Sequence, residues 1–121
     1  MSADNHVFWN LEADIKEDKL EDLKSLMATM VEATRADEPG TLNYEWFVSE
    51  DGMKCHIHER YADSGAVLTH LGNFGTKYAK DFMDALDIKR FTVYGNPDET
   101  ARGALTKVGA QFMSPLDGFV R

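Results

Sequence analysis

The chain has 121 residues, 43% of them apolar and 28% charged, and its 13 basic residues against 21 acidic ones give a net charge of −8. No run approaches the ~20 apolar residues of a membrane span, and basic residues scattered singly oppose binding to phosphate backbones or anionic lipid. A single cysteine, Cys55, excludes an internal disulfide and a thiolate zinc site. The expectation is one domain over residues 1–121, with a core from about 6 to 95 and a C-terminal helix and tail over 96–121. The N-terminus, MSADNHVFWN, lacks a basic start, an apolar signal core and a cleavage site, so the expected setting is cytoplasmic, without nucleic-acid or membrane partners.

From His6 to Ala13 apolar Val7, Trp9, Leu11 and Ala13 alternate with His6, Phe8, Asn10 and Glu12, which predicts a first strand. Asp18 followed by Glu21 resembles a capping box, and Leu20, Leu23, Met27, Met30 and Val31 then recur at helical spacing to about Asp37, where EPG (Glu38–Gly40) stops the helix. Thr41 to Tyr61 reads as a hairpin: aromatic and β-branched TLNYEWFVS, an Asp-Gly turn, then alternating KCHIHERY. Asp63 is placed to cap a helix in which Ala66, Val67, His70, Leu71 and Phe74 share a face. After a break at Gly75 a second stripe joins Tyr78, Phe82, Met83 and Leu86. IKRFTVYG is a fourth strand, and NPDE, with Asn96 as cap and Pro97 at the first helical position, opens a short helix to about Lys107. The remainder, GAQFMSPLDGFVR, has room for a brief strand and an apolar tail.

The order β-α-β-β-α-β is that of the ferredoxin-like split βαβ unit, an α+β fold with a four-stranded antiparallel sheet and helices on one face. Aromatic residues on the bare face predict a homodimer joined sheet to sheet.

His56 and His58, two apart on a strand, point the same way, but no third ligand accompanies them, so they read as wall or dimer-contact residues and no metal is expected. His70 stands on an otherwise apolar helical stripe. It is either a core histidine satisfied by the backbone or a cavity-lining acid/base. Asn10 poses the same choice on its strand, and Trp46, Tyr44, Tyr61, Phe8 and Trp9 are available to line an aromatic pocket. The glycines form no nucleotide motif, Cys55 has no base partner and no G-x-S-x-G elbow occurs, so covalent acyl chemistry has no support.

The segment EPGTLNYEWFVSEDGMKCHIHERYADSGAVLTHL (Glu38 to Leu71) resembles the antibiotic biosynthesis monooxygenase domain, including quinol monooxygenase-like proteins, in its EPG, Y-E, E-R-Y and A-x-x-x-H-L pieces. The likeness extends over Val7 to Val93. It implies a dimeric α/β barrel that oxidises a phenolic or hydroquinone-like small aromatic substrate with dioxygen and no cofactor. In that setting His70 is the base or hydrogen-bond partner and Asn10 the orienting amide, with Tyr61, Trp46, Tyr44 and Phe74 binding substrate. Related barrels include isomerases and haem-degrading enzymes, and a non-catalytic binding or structural dimer is a further reading. The Asn-Trp-His set of haem degradation is not reproduced, because His70 stands in place of the tryptophan and Lys80 in place of the histidine.

Overall fold

A computed structural model describes residues 5–121. The elements are β1 (Val7–Ile15), α1 (Leu20–Asp37), β2 (Thr41–Val48), β3 (Lys54–Tyr61), α2 (Ser64–Lys77), α3 (Ala79–Ala85), β4 (Leu86–Gly95), α4 (Glu99–Lys107) and β5 (Gln111–Met113). They form the expected α+β, ferredoxin-like arrangement, but the sheet has five strands in the order β2-β3-β1-β4-β5. β1 is central and antiparallel to β3 and β4, whereas β5 runs parallel to β4, Val93 lying opposite Phe112. A parallel neighbour requires a crossover, and α4 supplies it, which turns the expected brief strand into a fifth member of the sheet.

The alternation in β1 sends Val7, Trp9, Leu11 and Ala13 into the core, where Cys55, Ile57 and Tyr61 of β3 and Val93 of β4 join them. Leu23 and Met30 of α1, Val67 of α2, Phe82 of α3 and Leu105 of α4 close over that face. Among the described residues, no helix is long and apolar enough to cross a membrane.

Three local expectations are corrected. Asp18 caps nothing: a tight turn, Lys19 N–H to Lys16 C=O at 3.1 Å, holds it at φ 61°, and α1 starts after Lys19 with no side-chain cap. The cap of α4 is Asp98 rather than Asn96, because Asp98 N–H donates to Ser64 Oγ at 2.9 Å while its carboxylate accepts from Ala101 N–H at 2.8 Å. Gly75 does not break α2, which runs on to Lys77, since one exposed glycine costs a helix only about 1 kcal/mol. Leu86 accordingly belongs to β4 rather than to the helical stripe before it. Asp63 does cap α2, accepting from Ala66 N–H at 2.9 Å.

Gly40 governs how the α1–β2 turn meets α2. A Cβ there would lie 2.7 Å from the Ala66 Cβ, well inside contact distance, so only glycine lets the turn dock so closely. Gly40→Ala should lower stability by roughly 1–3 kcal/mol, the usual cost of overpacking, measured as a drop in urea midpoint at constant slope.

Candidate active site

The tight turn at Gly40 sets the preceding Glu38, at the C-terminal end of α1, against α2. Glu38 is only 6% exposed, as are Glu59 on β3 and His70 on α2. His70 Nδ1–H donates to Glu38 Oε1 at 2.8 Å, and Nε2–H donates to Glu59 Oε1 at 3.2 Å. The Tyr61 hydroxyl donates to the same Glu59 oxygen at 2.5 Å, while Asn73 and Thr41 donate to Glu38 at 3.1 and 3.2 Å. Glu59 Oε2 accepts no hydrogen bond among the described residues.

Burial alone would push the His70 imidazole toward its neutral form. The hydrogen bonds and charges of Glu38 and Glu59 outweigh that and lift its pKa from 6.5 to about 9. Burial likewise pushes the Glu38 carboxyl upward, but the bond and charge from His70, with the bonds from Asn73 and Thr41, bring it below its ordinary value. At neutral pH His70 is therefore an imidazolium held between Glu38 and Glu59. Both ring nitrogens are donors, so His70 has no lone pair with which to act as a base. Of the four carboxylate oxygens, Glu59 Oε2 is the one that accepts no hydrogen bond from a described residue.

This centre borders a cavity of about 510 Å³ under the helices, within the 300–1,000 Å³ range of small-molecule sites. Trp9, Leu11 and Phe91 form its sheet wall and Leu71, Phe74 and Phe82 its helical wall. Lys107, Val108 and Gly109, at the C-terminal end of α4, close a third side. Tyr44, Glu59 and His70 are the polar groups at the inner end. The Tyr44 ring meets His70 edge-on at 5.5 Å, and burial, followed by the Glu59 charge, raises its phenol pKa. Its hydroxyl and Trp46 Nε1 are buried without completing a hydrogen bond to a described residue.

His70, Tyr44 and Phe74 thus meet at the cavity as the sequence suggested, and the other three candidates do not. Asn10 lies opposite His58 and Thr92 in the sheet, on the face away from Trp9 and His70, because strand alternation that buries Trp9 must turn Asn10 the other way. Phe8 shares that outer face, stacked on Tyr94 at 5.1 Å. Tyr61 is fully buried behind the cavity wall against Trp9, at 4.6 Å between rings, and holds Glu59 rather than a ligand. Trp46 packs on Phe82 and Tyr44 outside the lining.

His56 pairs with Glu12 at 3.9 Å and the His58 ring lies on Phe47, both away from the core. Among the described residues no group of three or more His, Cys, Asp or Glu is disposed to hold a metal ion. Cys55 is a core thiol whose pKa burial raises to about 11. The residues missed from the sequence are Glu38, read there only as part of the helix stop, and Glu59. The signal for Glu59 was present in KCHIHERY, where the alternation that buries Cys55, Ile57 and Tyr61 also puts a glutamate on the apolar face.

Residues 7–85 match the family model described as antibiotic biosynthesis monooxygenase. Among solved structures, MupZ from Pseudomonas fluorescens is 29% identical with a TM-score of 0.83, the match covering 97% of this chain and 95% of that one. Rv0793 from Mycobacterium tuberculosis is 26% identical with a TM-score of 0.65, over 78% of this chain and 97% of that one. A Nitrosomonas europaea protein named for the same monooxygenase family is 20% identical with a TM-score of 0.65, over 76% and 90%, a likeness of fold alone. No curated protein is detectably similar in sequence.

Two outcomes follow from the charges. His70→Ala leaves two carboxylates buried without their cation and should cost about 3–5 kcal/mol, read from denaturant unfolding. In the wild type the raised His70 pKa contributes stability that is complete below pH 6.5 and disappears as pH rises through about 9. The lowered Glu38 pKa contributes stability present above 4.5 and lost as pH falls further. The melting temperature should therefore decline between pH 6.5 and 9, and a Glu38→Gln variant should show a shallower decline.

Proposed function

The chain belongs to the antibiotic biosynthesis monooxygenase family, and on that premise we propose that it is an enzyme that removes a proton from a small, largely apolar molecule held in the cavity. The observation carrying this reading is Glu59, which lines the apolar chamber, has one carboxylate oxygen without a hydrogen bond from a described residue, and is backed by the His70 imidazolium at 3.2 Å. In such surroundings a fixed positive charge stabilises a developing anion far more than it would in water.

The reaction we assign is cofactor-independent oxidation of a phenolic or hydroquinone-like substrate by dioxygen. Glu59 Oε2 takes the phenol proton, and the phenolate, facing His70, passes one electron to dioxygen. The phenoxyl radical and superoxide join at a ring carbon bearing hydrogen, and the Glu59 proton returns to the peroxide. The ring hydrogen then leaves as a proton and the distal oxygen as hydroxide, together one water, leaving a carbonyl. All four electrons come from the substrate. Phe74 and Tyr44 hold the ring, and the helical wall keeps water from the intermediates.

A second reading, isomerisation or elimination on the same barrel, is favoured by the hydrogen-bonded series Tyr61–Glu59–His70–Glu38, a proton-transfer apparatus that needs no oxidant. Oxygen uptake separates the two. Under the first, purified protein without added cofactor consumes dioxygen with a responsive polyphenol, and Glu59→Gln slows it by about 10²–10⁴-fold, the worth of a positioned base. Turnover that proceeds equally in anaerobic buffer would establish the second.

We also propose that two copies pair through the outer sheet face. Support comes from the Phe8–Tyr94 stack, the Arg60 guanidinium 4.1 Å above Phe8, the exposed Leu116 and Phe119 beside them, and Phe47 exposed further along the same face beside His58. Light scattering at micromolar concentration should give twice the mass of one chain, and a monomer would refute it.

A further inference from the structure

The cavity adjoins another depression on its helical side. It shares Leu71, Phe74, Ala79, Lys107 and Val108 with a second recess of about 610 Å³ between α2 and α4. Gly75 on α2 and Gly103 on α4 both border this recess. A methyl group built on either would meet nothing within 4 Å, and neither has a positive φ. Glycine within a helix costs about 1 kcal/mol relative to alanine. Neither close packing nor backbone geometry accounts for these two. A side chain at either position would enter the recess.

We propose that the recess is the second half of the site and receives the apolar chain of an elongated, amphipathic substrate whose reacting head lies at Glu59 and His70. The inference rests on the proton-transfer reading of the head site and adds the substrate class to it: a proton-bearing head with an attached alkyl or acyl chain, rather than a lone ring. Adjacency selects this occupant: five residues line both chambers, so a molecule anchored at the carboxylate–imidazolium centre and passing Phe74 meets the recess next. Lys107 stands exposed at the junction, where its methylene stem can lie along the chain with the ammonium in water.

The test is a series of 4-alkylphenols from methyl to octyl, with binding followed by the fluorescence of Trp9 in the cavity wall. Affinity of the wild type should tighten roughly fourfold for each methylene that enters the recess. In a Gly75→Leu/Gly103→Leu variant the tightening should stop at short chains while the affinity for 4-methylphenol is kept. Leucine is the better helix former, so this variant should melt no lower than the wild type, and lost binding would not reflect unfolding. Parallel chain-length curves in wild type and variant, or no tightening in the wild type, would overturn the proposal. Because binding is read without turnover, a failure of oxygen uptake would count against the assigned reaction and leave the chain-length result standing.

Discussion

His70 carries a positive charge into a core that would otherwise reject it, and the carboxylates that permit this come from separate parts of the chain. Each buried ion loses several kcal/mol of hydration, recovered only while Glu38, His70 and Glu59 stay within hydrogen-bond reach. Glu38 ends α1, His70 belongs to α2 and Glu59 to β3, so the three groups tie both helices to the sheet. The contact of Gly40 with Ala66 supports the same junction from the backbone side. Stability and site geometry are consequently set by the same contacts.

This also decides what the site can do chemically. An imidazole with one free nitrogen would be a base near neutral pH, but His70 donates from both, and its role becomes electrostatic. In the reaction we propose, proton acceptance falls to Glu59, whose other oxygen Tyr61 holds. A lone carboxylate is a weak base toward a phenol. Beside an imidazolium in an apolar chamber the phenolate product is itself stabilised, so the pair can accomplish what the carboxylate alone would not. Whether oxygenation or isomerisation follows then depends on how readily the substrate anion gives up an electron.

The fold was largely legible because it follows from period: two for β1 and β3, near 3.6 for the helices. Local features failed where the deciding partner was distant. Asp98 displaces Asn96 as cap because Ser64, on α2, accepts its N–H, and no inspection of NPDE reveals that. His70 was visible as a polar ring on an apolar stripe. Asn10 was visible too, but the alternation that made it conspicuous also turned it away from the core. Trp46 and Tyr61 were on the correct face. Their depth relative to the cavity is settled by three-dimensional packing against Phe82 and Trp9, which spacing along a strand does not encode.

The family match stops at residue 85, yet the cavity does not. Leu105 is fully buried and anchors α4 to the core, the parallel pairing of β5 with β4 fixes where the chain goes next, and the Arg102 guanidinium 4.0 Å over Phe112 joins the two. Those contacts hold Lys107, Val108 and Gly109 against the chamber and Gly103 along the recess beside it. The charged centre lies wholly between residues 38 and 70, within the matched segment. The recess beside it is built from both sides of that boundary, with Gly75 inside the matched segment and Gly103 and Lys107 beyond it. The α4 side of the recess is therefore free to vary without disturbing the buried charges at Glu38, Glu59 and His70.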